Sequence, residues 1–460
     1  MLHDKLRVES TDKSLLDKAR QYASEYLDNS TDRHIYPTPD SLKELDIFDE
    51  QVPEHGATAH EILDLLHQHG SPNTIAQNSG RYFGFVNGGI LPASIASKWL
   101  ADVWDQNTAT FVMSPICGKL ESVTENWLKD LLSLPPQTVA GYVTGTTMSS
   151  YCGLLAGRYR LYKNQGYDIN KQGMASAPSL RVITSAHTHS SVKRVISMLG
   201  FGLDHVEYVP VDKQGSIRMD QFPKLDASCL IILQAGNVNS GSFDPIDDIC
   251  DLANEAGAWV HVDGAFGLWA AAVPQLSYLT KGMEKADSWS VDGHKTLNTP
   301  YDCGIVLCKD KEAVFGANHS SGSYLMLNEN RDSMMYTPDM SRRARIVDLW
   351  STIKSLGKSG IAEMVHNLHL RAKQFAKEIQ EAGFIVPNEV VFNQVMVQSD
   401  NDSLTKAILQ DVQQQGICWC GGSNWFDQSV IRISVCTWTT TEADISTTVA
   451  SFKKARQRVV

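Results

Sequence analysis

The sequence predicts an α/β protein: a mostly parallel β-sheet in a large domain, followed by a smaller C-terminal α+β domain. Three observations predict it. Short runs that are apolar throughout, such as residues 229–233 and 259–262, read as strands buried on both faces. Amphipathic segments of helical length stand between such runs, among them 244–256, closed by Gly257. After about residue 320 the alternation stops and a long helical stretch takes over.

Residues 1–85 read as an N-terminal helical segment. Ile62, Leu65 and Leu66 have helical spacing, and Pro37, Pro39 and Pro53 punctuate it. Such a segment is suited to clasping a second subunit. Residues 86–320 carry the alternation and form the large domain. A helix over 123–132 ends ahead of Pro135 and Pro136. A β-like run at 142–144 passes through Gly145 into a helix over 148–161. A strand at 180–185 leads to a helix at 192–199, stopped by Gly200. Strands at 205–211 and 229–233, the helix at 244–256, a strand at 259–262 running into Asp263, and a strand at 304–308 complete it. Residues 321–460 form the small domain. Its helical stretch, 341–382, is interrupted at 357–360 and closed by Gly383. A strand (390–397), a helix (404–414), a strand (430–435) and a final helix follow.

Bulk properties exclude some function classes. The chain has 460 residues, 42% of them apolar, enough for a large core. A net charge of −11 opposes general nucleic-acid binding, which needs a basic surface. No apolar run is long enough to span a bilayer, and the charged, amphipathic start lacks the apolar stretch of a secretory signal. The nine cysteines are scattered and odd in number, which suggests reduced thiols and a cytoplasmic protein. Cys418 and Cys420 read as buried thiols before a metal or redox pair. His187 and His189 have no accompanying cluster, so no metal is expected.

Four polar sites sit at or near the ends of strands, where open α/β sheets bind ligands. Gly145-Thr146-Thr147 opens a helix whose first turn offers unpaired N–H groups and a positive dipole end, a cup for phosphate. It reads equally as a capped helix without a ligand, and it lacks the Gly-Lys-Thr of a Walker motif. His189, at a strand-to-helix junction, can stack on a flat heteroaromatic ring or simply be a satisfied junction histidine. Asp263 follows an apolar strand and precedes Gly264 and Ala265, which lets it face a flat ligand closely; alone it reads as a turn or cap aspartate. Lys295, after another β-like run, becomes a nucleophile for an aldehyde if desolvated; alone it reads as a loop lysine. One cofactor needs all four groups together: pyridoxal 5′-phosphate.

These residues carry a resemblance. His261-Val262-Asp263 with Ala265, Asp292 with His294-Lys295 and the following PYDCG, and the stretch from Thr188 to Lys193 resemble motifs of the group II pyridoxal-phosphate-dependent amino-acid decarboxylases. Further similarity runs from RYFGF (81–85) through SPICGKLE (114–121) and SRRARIVDLW (341–350) to VIRISVCTW (430–438). The resemblance implies pyridoxal-phosphate fold type I, aspartate-aminotransferase-like, and a homodimer. It implies decarboxylation of an L-amino acid through a Lys295 aldimine, with Asp263 at the pyridine nitrogen and His189 over the ring. Thr146, Thr147, Ala265 and His294 would complete the cofactor site. Arg432 is the candidate for the substrate carboxylate, and reads equally as a strand arginine in a salt bridge. A mobile loop matching 320–339 would supply a tyrosine for reprotonation, Tyr324 or Tyr336; Tyr336 is the named candidate. Phe83, Phe85 and Trp104 match pocket-lining regions and suit an aromatic or apolar substrate, whereas Lys119 or Arg342 would suit an acidic one.

The chain departs from the family in two places. Met148 stands where the phosphate turn usually has an acid, and residues 234–239 (QAGNVN) replace a threonine-rich stretch. The rival readings are an aminotransferase, a carbon–carbon lyase or an aldehyde synthase on the same fold, and a non-catalytic interaction protein with a decayed site.

Overall fold

The computed structural model describes residues 2–30, 33–318 and 330–459. Seven strands form the main sheet: β1 (Val139–Val143), β2 (Arg181–Ser185), β3 (Val206–Val209), β4 (Cys229–Gln234), β5 (Trp259–Asp263), β6 (Ser288–Asp292) and β7 (Gly304–Cys308). Their order is β1-β7-β6-β5-β4-β2-β3. Only β7 runs against its neighbours, β1 and β6; every other pairing is parallel.

The apolar runs form central strands because both faces of the sheet are covered. In β4, Ile231 and Leu233 join one core, with Val260, Val262, Trp289 and Ile249; Leu230 and Ile232 join the other, with Leu154, Val192 and Val195. The helices Thr146–Asn164 and Ser190–Met198 supply the second layer, and Ile246–Ala256 packs into the first. A core truncation such as Ile231→Ala costs about 2–5 kcal/mol by lost transfer energy and cavity formation.

A smaller sheet, β8 (Gln394–Val397), β9 (Gly421–Trp425) and β10 (Gln428–Ser434), lies in the order β8-β10-β9, all antiparallel. The helices Asp402–Gln415 and Glu442–Val459 pack with it. The long helix Ile346–Glu381 belongs to both cores: Ile346 to Val365 pack with the main sheet's core, Leu368 to Ile379 with the small one. Its expected interruption is a single residue, Gly357, at φ 63° and ψ 179°. The N-terminal region is helical, with Leu2–Thr11, Ser14–Asn29 and Ala59–Leu65. Among the described residues no helix is long and apolar enough to cross a membrane.

Two backbone contacts seat the lysine loop. The N–H of Gly88 donates to the carbonyl of His294 (3.2 Å), and a side chain at residue 88 would collide with the Lys295 carbonyl. Asn298, fully buried at φ 57°, accepts from the N–H groups of Gly89 (2.7 Å) and Trp438 (3.0 Å) and donates to the Cys436 carbonyl (3.0 Å). The loop is thereby fastened to both the Arg81–Gly89 segment and the small domain.

Candidate active site

The carboxyl ends of the parallel strands open onto a cavity of about 580 Å³. Thr146, Thr147, His189, Asp263, Ala265, His294, Lys295 and Arg432 all line it, so eight of the sequence candidates converge. Strand order sets their spread. Asp263 ends the central strand β5, Gln234 ends β4 in register with it, and Asp292 ends β6 on the other side. Gly145 leads from β1 into the helix Thr146–Asn164; it fits because Gly304 of β7, directly opposite, has no side chain to strike its backbone.

Asp263 is 6% exposed, and burial pushes its carboxyl above the ordinary carboxylate range, against the pull of His189 and Lys295. One oxygen accepts from the Ala265 N–H (3.2 Å) and from the Ser290 hydroxyl (3.5 Å). A buried carboxylate so placed favours a cationic partner in the cavity. His189 caps the helix Ser190–Met198 with its ring: Nδ1 accepts the Ser191 N–H (3.2 Å) and meets the Ser191 hydroxyl (2.7 Å). An acceptor at Nδ1 places the neutral ring's proton on Nε2. Burial lowers the pKa of His189, which keeps it neutral. Capping and cavity-lining are thus both served by one residue.

Asp292, which the sequence motif contained but to which no role was attached, organises the other end. It is 1% exposed. Its Oδ2 accepts from the Thr146 hydroxyl (2.5 Å), lies 3.1 Å from Lys295 Nζ, and is 3.5 Å from His294 Nε2. Its Oδ1 is buried without a partner. His294 accepts the Cys303 N–H at Nδ1 (3.1 Å) and packs at a tilt against Tyr301, ring centroids 4.2 Å apart. Burial lowers its pKa.

Arg432 sits on β10, and its guanidinium makes no ion pair or hydrogen bond among the described residues; burial lowers its pKa. The salt-bridge alternative therefore has no carboxylate to support it. Phe85 lines the wall and is 62% exposed, at φ 51°, a left-handed conformation uncommon outside glycine. Phe83 is instead buried in the small core, and Trp104 is not among the cavity's lining residues.

Tyr336 is not brought to the cavity. It packs in the second core, its ring against Phe315 and under the guanidinium of Arg331. The reason is a buried ion network: Arg331 and Arg342 both bind Glu121, and Arg331 also binds Glu125. That network fixes the chain around Tyr336 against the helix Pro115–Leu131 and commits Arg342, the cation considered for an acidic substrate. Tyr324 lies outside the described residues. His187 contacts Trp425 and Phe426, away from the cavity. Cys418 and Cys420 are buried free thiols, and no metal-ligating cluster occurs among the described residues.

The residues fit pyridoxal phosphate. The cavity holds a buried carboxylate for the ring nitrogen, hydroxyls at a helix N-terminus for phosphate and a lysine amine. It also holds two buried polar atoms without protein partners, Asp292 Oδ1 and Gln234 Nε2.

Comparison with known proteins bears on this arrangement. Residues 39–398 match the family described as the pyridoxal-dependent decarboxylase conserved domain. Over 359 residues the chain is 27% identical to the human acidic amino acid decarboxylase GADL1, covering 75% of this chain and 67% of that protein. Oryza sativa TDC, crystallised with PLP and tryptamine, superposes with a TM-score of 0.89 at 20% identity, over 97% of this chain and 98% of that one. Rhodiola rosea 4-hydroxyphenylacetaldehyde synthase gives a TM-score of 0.84 at 20% identity over 99% of each chain. At these identities the structural likeness establishes the fold, which is the one the sequence motifs imply.

Proposed function

Because the chain belongs to the pyridoxal-dependent decarboxylase family, a family of pyridoxal-phosphate-dependent carboxy-lyases, we propose that it converts an L-amino acid to its amine and carbon dioxide, with the cofactor held on Lys295. The observation that carries this reading is the convergence of Lys295, Asp263, His189 and the Thr146–Thr147 turn on one cavity.

Pyridoxal phosphate, when bound, supplies an electron sink for the pair left at Cα as carbon dioxide departs. The protein's residues do the rest. Asp263, ionised, holds a proton on the ring nitrogen and so keeps the sink strong. His189, neutral, would stack on the cofactor ring. Thr146, Thr147 and His294 would hold the phosphate, and Ala265 would complete the cofactor site. Arg432 would bind the substrate carboxylate and so orient the bond at Cα that breaks. That orientation separates decarboxylation from transamination. Tyr336 has no part in reprotonation in this reading, since its ring is packed elsewhere.

A homodimer is part of this reading, and exposed apolar side chains support it. Trp99, Leu100, Val103 and Trp104 on the helix Pro92–Trp104, with Val112 and Met113, form a surface suited to a second copy. The free, buried cysteines suit a reducing, cytoplasmic setting.

Attachment is tested by spectroscopy and peptide mapping. The cofactor-loaded protein should be yellow, lose its visible band on borohydride reduction, and yield a modified peptide containing Lys295. Lys295→Ala should show no reducible band. A modified peptide elsewhere in the chain would overturn the assignment.

A further inference from the structure

We propose that Phe85 and Tyr301 select the substrate's side chain, and that the substrate is an L-amino acid with an uncharged aromatic side chain that carries an N–H or O–H, an indole or a phenol. The inference rests on the proposed function, which places an amino acid in this cavity, and adds the class of side chain.

Two aromatic rings line the cavity and remain open: Phe85 is 62% exposed and Tyr301 44%. Phe85 is held there by a strained backbone. It and Val86 take successive left-handed conformations, φ 51° and 61°, and a β-branched residue adopts such a φ only where its surroundings force it. Val86 is thereby set into the main core, 1% exposed, while the Phe85 ring stays outside. Trp419 backs that ring, centroids 5.2 Å apart, and comes close because Gly84 has no side chain to meet it. An apolar ring kept open by strain beside a ligand cavity suits a flat apolar group.

The Tyr301 hydroxyl adds a direction. It donates to Asn87 Oδ1 (3.0 Å), Asn87 Nδ2 donates to Gln77 Oε1 (3.0 Å), and Gln77 Nε2 donates to the Gly88 carbonyl (3.3 Å). The chain ends on a backbone carbonyl, which only accepts, so every bond in it runs the same way. The Tyr301 proton is therefore engaged, and its oxygen has only lone pairs left for a ligand. Indole and phenol can donate to that oxygen; a plain phenyl ring cannot.

Charge points the same way. Among the described residues an acidic side chain finds no spare cation. Arg342 is bound to Glu121, Lys119 is exposed and does not line the cavity, and burial lowers the pKa of His189 and His294. Arg432 is engaged by the substrate's own carboxylate in the proposed reaction. A basic side chain finds no spare carboxylate, since Asp292 pairs with Lys295 and Asp263 serves the ring nitrogen in that reading.

The experiment reads binding separately from chemistry. The cofactor-loaded protein is mixed rapidly with L-tryptophan, L-tyrosine, L-phenylalanine, L-leucine, L-glutamate or L-lysine, and the first change of the visible band gives each affinity. Products are then identified. The better of tryptophan and tyrosine should bind about tenfold more tightly than phenylalanine, the worth of one hydrogen bond. Leucine, glutamate and lysine should bind more weakly than all three. Tyr301→Phe keeps the ring, removes the acceptor and should erase the preference over phenylalanine, a ratio that a packing role alone would not move. Phe85→Leu should weaken all three aromatic amino acids by about tenfold, through loss of ring contact. The proposal is wrong if leucine, glutamate or lysine binds best, if no aromatic amino acid moves the band, or if Tyr301→Phe keeps the wild-type ratio. A keto acid or aldehyde formed from a tightly bound aromatic amino acid would instead overturn the decarboxylase reading and support the selection by Phe85 and Tyr301.

Discussion

The guanidinium carbon of Arg331 lies 3.8 Å from the centroid of the Tyr336 ring. Arg331 is itself buried and paired with Glu121 and Glu125, so the ring is clamped by a charge network rather than presented to substrate. Tyr336→Phe should therefore leave both the turnover rate and the product unchanged and shift stability by less than about 1 kcal/mol. A large fall in turnover, or a switch from amine to aldehyde, would return Tyr336 to the mechanism.

Asp263 makes a second case. Burial raises its pKa, and the neighbouring His189 and Lys295 oppose that rise. In the proposed reaction its value is the negative charge it would offer the ring nitrogen. Asp263→Asn keeps the shape and removes the charge. Turnover should fall by about 10²–10³-fold, the range seen when one pre-organised electrostatic group is removed. The borohydride-reducible band should remain, because Lys295 is untouched. Turnover within twofold of wild type would sink the assigned role.

Arg432 is a half-buried cation with no counter-ion among the described residues. A substrate carboxylate would complete it. Lysine cannot offer the same two-pronged geometry, so Arg432→Lys should lower kcat/KM by about 10–100-fold, the worth of a charged hydrogen bond. Cofactor affinity should hardly move. Equal loss of cofactor binding would mean that Arg432 serves the cofactor instead.

His261 gives a prediction about acid stability. It is fully buried on β5, bonded to the Ser288 hydroxyl at 2.9 Å, and burial holds its pKa down to about 3. In the unfolded chain the ordinary value is about 6.5. The unfolded state therefore binds the proton first. Stability present above pH ~6.5 is lost as pH falls toward 3, by up to about 4–5 kcal/mol. Denaturant titrations at several pH values on wild type and on His261→Asn, which cannot charge, should diverge over that window. Parallel curves would contradict the account.

The fold was legible where local pattern and burial agree. The runs at β4, β5 and β7 are apolar because both faces of the sheet are covered, and the strand bounds expected for 304–308 coincide with those observed. β9 escaped notice because its sequence, GGSNW, carries no strand signal; it forms as an edge strand through its pairing with β10. The strand expected over 390–397 begins only at Gln394, since the residues before it turn around Asn388, whose amide binds three backbone carbonyls. In the site, residues proposed to meet the cofactor's distinctive chemistry stand out in sequence, as Lys295 and Asp263 do. Asp292 and Asn298 do not, because their roles depend on contacts with Thr146, Gly89 and Cys436, far away along the chain. Tyr336 lies away from the cavity for a reason its own segment does not carry: a polar loop around a tyrosine suggests mobility, and the partners of Arg331 come from residues over two hundred positions earlier.

The most direct test of the central claim is product analysis. Purified, cofactor-loaded protein is given each of the common L-amino acids, and amine, carbon dioxide, keto acid, aldehyde and ammonia are measured together. The account predicts amine and carbon dioxide in equal amounts from one substrate, and neither from Lys295→Ala. Keto acid without carbon dioxide, or aldehyde and ammonia in place of amine, would contradict it.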